Sequence, residues 1–359
     1  MKILYFAVLA LLFSCSKSAE ENCFVASKDE LYAPYEEQKP YTVQQILNEK
    51  PAYLEIINLT KYRDFKKDSI ADHTYDKEYE ENFKRKETDF KVFDEKFSKQ
   101  FWYTAQQKVG NVLYALARNN LGYWLLKIEN NKPSAYFLGL SFSHYYFNKI
   151  QEQPIIQEEY LQIEGSLVKI IKVPGLPGYD DYSAQEDGKL FKIKLKDLMK
   201  DTDKDGYNDI FEKSLGLNSD NKDTDGDGIN DFEDMNPMYK SDKNKFTQLY
   251  ELLLLNNGYG EENQDKRNYS FLVYESGCDY FHQVNPGFRV LFISEDKRKQ
   301  TAYTRITDIT DGGISKIQKN AKNPDIFYIY EFGSSSSNDY SAEYKNGKWE
   351  IQWVGGIVV

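Results

Sequence analysis

Between residues 200 and 235 the chain places carboxylates at alternate positions, and it does so twice. Asp201, Asp203 and Asp205 are followed by Gly206, Asp209 and Glu212. Starting 22 residues later, Asp223, Asp225 and Asp227 are followed by Gly228, Asp231 and Asp234. Counted from each first aspartate, the acids stand at positions 1, 3, 5, 9 and 12, with glycine at 6. Calcium is a hard cation that takes six to eight oxygens in a flexible cage. A short loop supplies them when side chains alternate and a glycine permits a sharp turn. Tyr207 and Ile229, at position 7, would add backbone carbonyls. Asp209 and Asp231 would act directly or through water, and Glu212 would close the first cage with both oxygens. Asp234 has a shorter reach at position 12, so the second site is expected to bind there through one oxygen or to borrow a ligand, with Glu233 and Asp220 at hand. Tyr207-Asn208-Asp209 and Ile229-Asn230-Asp231 run in parallel, which makes the loops internal repeats. A metal-free acidic linker is the plainer reading, but so many neighbouring carboxylates would repel one another without a cation.

Charge supports the same assignment. The chain carries a net charge of −11, and residues 201–234 hold ten Asp and two Glu against Lys204, Lys213 and Lys222, a local −9. The acidity therefore belongs to one module. The basic stripe that a nucleic-acid partner requires is missing from the sequence.

The run from Asp201-Thr-Asp-Lys-Asp-Gly to Asp223-Thr-Asp-Gly-Asp-Gly-Ile-Asn-Asp, closed by Asn236-Pro237, resembles the bacterial form of thrombospondin type 3 repeats. EF-hands usually carry an aliphatic residue at position 8, where this chain has Asn208 and Asn230. Dockerins also pair two calcium loops at similar spacing, but usually at a chain end and with a long apolar helix after each loop. The resemblance covers about 40 of 359 residues and implies calcium as the cofactor. The disulfide cysteines of the animal repeats are missing, so the module would depend on metal and on packing by Ile210, Phe211, Leu215, Leu217, Ile229 and Phe232.

The N-terminus sets the expected compartment. Met1-Lys2 precedes an apolar run, Ile3 to Phe13, too short for a membrane span of roughly 20 residues and suited to a signal peptide. Leu12-Phe13-Ser14-Cys15 resembles a bacterial lipobox. The resemblance implies a lipid anchor on Cys15, the first mature residue, and the absence of an aspartate after it implies the outer membrane, on its periplasmic or its surface side. Cys23 and Cys278 could pair in an oxidising envelope, although Cys23 falls in the expected tether, which argues against it.

The elements that must position the loops are read from periodicity. We expect a signal peptide at 1–14, a lipidated tether at 15–40, an N-terminal α+β domain at 41–199, the calcium module at 200–242 and a β-rich C-terminal domain at 243–359. Thr42 predicts a helix N-cap. Aromatics at Tyr79, Phe83, Phe90, Phe93, Phe97 and Phe101 predict a helical stripe, and Ala105–Ala117 a second helix. Hairpins are expected around Asn130-Asn131, Gly165 and Asn346-Gly347, strands at Phe191–Leu195, Tyr269–Tyr274, Arg289–Ile293 and Ile326–Phe332, and a helix at Phe246–Asn256. Gly175–Asp181 and Ser334–Ser337 read as loops. Aromatics make up 15% of the chain, which fits β-sheet cores more readily than glycan-stacking surfaces.

His73, His144 and His282 lie in no metal or triad spacing, and no nucleophile or nucleotide motif occurs. The fold class expected is α+β and β-rich, with two globular domains joined by the calcium module. The function expected is calcium binding in a membrane-anchored envelope or surface lipoprotein with a structural or ligand-binding role, its ligand a glycan or a protein. The alternative is a hydrolase of envelope or environmental polymers with an accessory calcium module. A role in a cell-surface complex would leave an exposed apolar patch near the free edge of the C-terminal sheet.

Overall fold

The computed structural model describes residues 18–26, 39–70, 88–171, 181–256, 266–293, 312–333 and 336–358. The signal run, Cys15, Tyr79 and Phe83 lie outside the described residues. So do most of the Gly175–Asp181 loop and Ser334-Ser335.

The chain enters as one helical turn, α1 (Ala19–Cys23), and a short strand, β1 (Phe24–Val25). Thr42 and Gln45 exchange hydrogen bonds in a capping box that starts α2 (Val43–Glu49), as the sequence predicts. β2 (Leu54–Asn58), α3 (Phe65–Ile70) and α4 (Lys91–Lys96) follow. An antiparallel four-stranded meander comes next: β3 (Trp102–Val109), β4 (Val112–Asn119), β5 (Gly122–Glu129) and β6 (Lys132–Phe137). β7 (Tyr145–Phe147), β8 (Ile156–Gln157), β9 (Tyr160–Ile171) and β10 (Asp181–Lys194) join β2 in a second sheet, in the order β2-β10-β9-β7 with β8 on β9. α5 (Leu195–Leu198) leads into the acidic module, which contains α6 (Asp209–Leu215). α7 (Lys245–Asn256), β11 (Leu272–Glu275), α8 (Asp279–His282), β12 (Val290–Ile293), β13 (Gly312–Ile314), β14 (Ile317–Lys319), β15 (Ile326–Phe332), β16 (Ser336–Lys345) and β17 (Lys348–Val358) complete the chain. These strands and β1 form the third sheet, of eight strands. The architecture is α+β and strongly β-rich.

Three expectations change. Ala105–Ala117 is not a helix but two strands that fold back at Gly110, whose φ is +58°. β4 is buried on both faces, and an apolar run of that kind does not reveal its period. Gly165 is not a turn. β9 runs through it, and a Cβ there would stand 2.0 Å from the Tyr146 carbonyl oxygen, so the glycine serves close approach by β7. Cys23 is bonded to Cys278 across 255 residues. The segment around it is no free tether, because β1 pairs in parallel with β14 and Phe24 packs edge-on against Phe246.

The hairpin at Asn346-Gly347 stands as expected, with both residues at positive φ. Among the described residues β17 pairs only with β16, and Trp353, Val354 and Ile357 are exposed near the sheet edge. Among the described residues, no helix is long and apolar enough to cross a membrane.

Most of the aromatics among the described residues are core. Phe93, Phe97, Phe101, Trp124, Phe137, Phe191, Phe211, Tyr269 and Phe271 belong to one buried cluster. Tyr207, Ile210, Leu215 and Leu217 from the acidic module belong to it as well. A second cluster joins Cys23, α7 and α8 to the third sheet.

Candidate metal centre

Each acidic loop is first of all a set of side-chain-to-backbone hydrogen bonds. In the first, Asp201 accepts from the Lys204 amide at 2.7 Å, Asp203 from the Asp205 amide at 3.1 Å and Asp205 from the Tyr207 amide at 2.7 Å. In the second, Asp223 accepts from the Gly226 amide at 2.9 Å, Asp225 from the Asp227 amide at 2.9 Å and Asp227 from the Ile229 amide at 2.8 Å. Short aspartates capture nearby amides in this way and hold the chain in successive tight turns. Position 4 has positive φ in both loops, at Lys204 (64°) and Gly226 (76°), and so does the glycine at position 6. At Gly206 space matters too, since a Cβ would stand 3.0 Å from the Phe232 ring.

Position 9 closes each loop. Asp209 accepts from the Thr202 amide and hydroxyl at 2.8 and 2.9 Å, and Asp231 from those of Thr224 at 2.8 and 2.6 Å. Threonine at position 2 was not among the sequence-predicted residues, yet it recurs in both loops.

Carboxylates of the two loops converge in three groups: Asp201 with Asp203 and Asp205, Asp223 with Asp225 and Asp227, and Asp205 with Glu212 and Asp231. Within each group, carboxylate oxygens from the three residues lie within 4.8 Å of one another. Asp209 is in none of these groups and instead pairs with Lys200 at 2.7 Å and Lys213 at 3.5 Å. Asp234 is also outside them, and it accepts from the Asn236 amide at 2.9 Å.

Glu212 carries the strongest indication of a ligand. It projects from the first turn of α6, is 0% exposed, and neither carboxylate oxygen has a hydrogen-bond partner among the described residues. One buried oxygen each of Asp203, Asp205 and Asp225 is equally without a partner. Buried polar atoms are nearly always satisfied, so these atoms fit a cation held by the loops. Their electrostatics agree. Burial, then Asp203 and Asp205, push Glu212 up to about 9. Burial raises Asp205 to about 7, with Asp203, Asp201 and Asp231 adding to it against the Tyr207 amide. Asp225 rises to about 6, again chiefly through burial. Asp209 goes the other way: burial would raise it, but hydrogen bonds from Lys200 and Thr202 prevail.

Residues outside the motif hold the two loops in place. The Asn208 side chain accepts from the Phe137 amide at 3.0 Å and donates to the carbonyls of Phe137 and Leu198. Asn268 touches both loops, accepting from the Tyr207 hydroxyl at 2.5 Å and donating to the Phe232 carbonyl at 2.8 Å. Asn236 donates to the carbonyls of His282 and Val284, and buried Arg289 donates to the Asp234 carbonyl. Asn208 and Asn236 lie in or beside the repeat but have no liganding position there, and Asn268 and Arg289 lie far from it in sequence. Compared with protein-family models, curated proteins and solved structures, the chain matches none of them.

Proposed function

We propose that this chain is a calcium-binding protein of the bacterial envelope, lipid-anchored through Cys15, in which calcium at the two loops is a structural element. Asp201, Asp203, Asp205, Glu212 and the Tyr207 carbonyl hold the first ion. Asp223, Asp225, Asp227, Asp234 and the Ile229 carbonyl hold the second. The observation that carries this reading is Glu212, a fully buried carboxylate at position 12 of the first loop with both oxygens unpartnered among the described residues. Oxygen-only ligands on a flexible loop suit calcium better than magnesium, which demands a smaller octahedral shell and keeps its water.

The ion orders the module that joins the N-terminal domain to the C-terminal one. Tyr207 and Phe211, whose rings stack at 4.3 Å, connect the first loop to the aromatic core, and Asn236 and Arg289 connect the second to α8 and β12. Affinities of extracellular calcium modules run around 10⁻⁴–10⁻³ M, adequate for a structural ion in a calcium-bearing medium. The test is calcium titration with melting temperature, on the wild type and on Asp205→Ala plus Asp227→Ala. At a calcium concentration 100 times Kd, each site should add about 2.7 kcal/mol, and the double variant should gain almost nothing. A wild type whose melting is insensitive to calcium sinks the proposal.

A further inference from the structure

The two position-9 aspartates do the same job within their loops and face different surroundings beyond them. Both close onto the threonine at position 2. Asp209 then turns to Lys200 and Lys213. Asp231 is 1% exposed, and one of its oxygens lies within 4.8 Å of oxygens of both Asp205 and Glu212, which belong to the other loop. No Lys or Arg forms an ion pair with Asp231 among the described residues. Three buried carboxylates from two loops thus meet, with both Glu212 oxygens and one Asp205 oxygen lacking a partner among the described residues. Ionised, such a group is relieved by a cation among its members.

We propose that Asp231 is a cross-loop ligand of the first-loop calcium ion, so that the second loop completes the first site. This rests on the calcium reading above. A carboxylate oxygen has lone pairs to spare, so Asp231 can accept from Thr224 and face the ion at once. Asp201, Asp203, Asp205, Glu212 and Asp231 then give the first site five carboxylates. With the Tyr207 carbonyl they meet the six to eight oxygens calcium takes. The second site keeps Asp223, Asp225, Asp227 and Asp234. The loops are linked through Asp231, which hydrogen bonds from Thr224 hold in place.

The experiment is calcium calorimetry on the full chain in two backgrounds. Asp225→Asn disables the second loop's own cage and leaves the first-loop ion; adding Asp231→Asn there should weaken that ion about tenfold or more. Asp203→Asn disables the first cage and leaves the second-loop ion; adding Asp231→Asn there should change its affinity by less than about twofold. Equal losses in both backgrounds, or a loss confined to the Asp203→Asn background, overturn the assignment. A wild type that binds no calcium removes the underlying reading instead, so the two failures are distinguishable. Should a variant fail to fold, a calcium-loaded wild-type crystal structure decides. An Asp231 oxygen about 2.3–2.6 Å from the first-loop ion supports the assignment, and one beyond about 4 Å overturns it.

Discussion

The two acidic loops share a sequence pattern and a hydrogen-bond scheme, and they differ in what lies beneath them. The first is built into the core: Tyr207 is buried, its ring stacks on Phe211, and Glu212 rises from a helix inside the aromatic cluster. The second lies outward: Ile229, at the same position as Tyr207, is exposed, and the carboxylates of Asp223, Asp225 and Asp227 are only half-buried. The second also has a protein cation nearby: Arg289 donates to the Asp234 backbone, and although burial raises that carboxyl, the Asn236 amide and the Arg289 charge oppose the rise. The charges felt most strongly by Glu212 are carboxylates. One cage is therefore expected to bind tightly and to matter for folding, whereas the other is partly balanced and peripheral.

The strongest way to break that contrast is Glu212→Ala. It should lower calcium affinity at the first site by at least about 10–100-fold, the range that loss of even an outer-shell partner produces, and abolish most of the calcium-dependent rise in melting temperature. If it leaves the titration unchanged, the first loop is not the dominant site.

Next in size is the pH dependence without metal. Glu212 and Asp205 have folded-state values of about 9 and about 7, above those of an unfolded chain. The folded state therefore binds more protons. Their contribution to stability is fully present below about pH 4 and is lost as pH rises through the folded values. Melting temperature in chelator should fall from acid to alkaline pH, and saturating calcium should flatten the curve. Glu212→Gln should flatten the upper part of it even in chelator. A metal-free melting temperature that rises across this range contradicts the electrostatic picture.

Asp227→Asn is expected to do less. It should weaken only the second ion, and calorimetry should show the first transition intact. Asn268→Ala comes last, since it removes the side-chain hydrogen bond to the Phe232 carbonyl and keeps the backbone carbonyl that accepts from the Tyr207 hydroxyl. A cost of about 1–3 kcal/mol, the usual range for leaving buried partners unsatisfied, should appear in denaturant unfolding at saturating calcium. A variant as stable as wild type would mean that the loops need no bracket.

Much of the local structure was legible in the sequence. Thr42 and the Asn346-Gly347 turn act through bonds made within a few residues, and the apolar spacing of Phe246–Asn256 repeats at the period of a helix, so their consequences are visible without the rest of the chain. The alternating aspartates are of the same kind, because each captures an amide two or three residues on. Tertiary structure decided the rest. Whether Ala105–Ala117 became helix or strands depended on burial of both faces, and the close approach at Gly165 depended on a neighbouring strand. The Cys23–Cys278 bond depended on β1 docking against β14. Within the candidate site, the sequence by itself determined which residues offer oxygen. Only tertiary packing determined that Glu212 is sealed from water and that Asp231 faces the neighbouring loop, because burial and long-range proximity are properties of the folded chain.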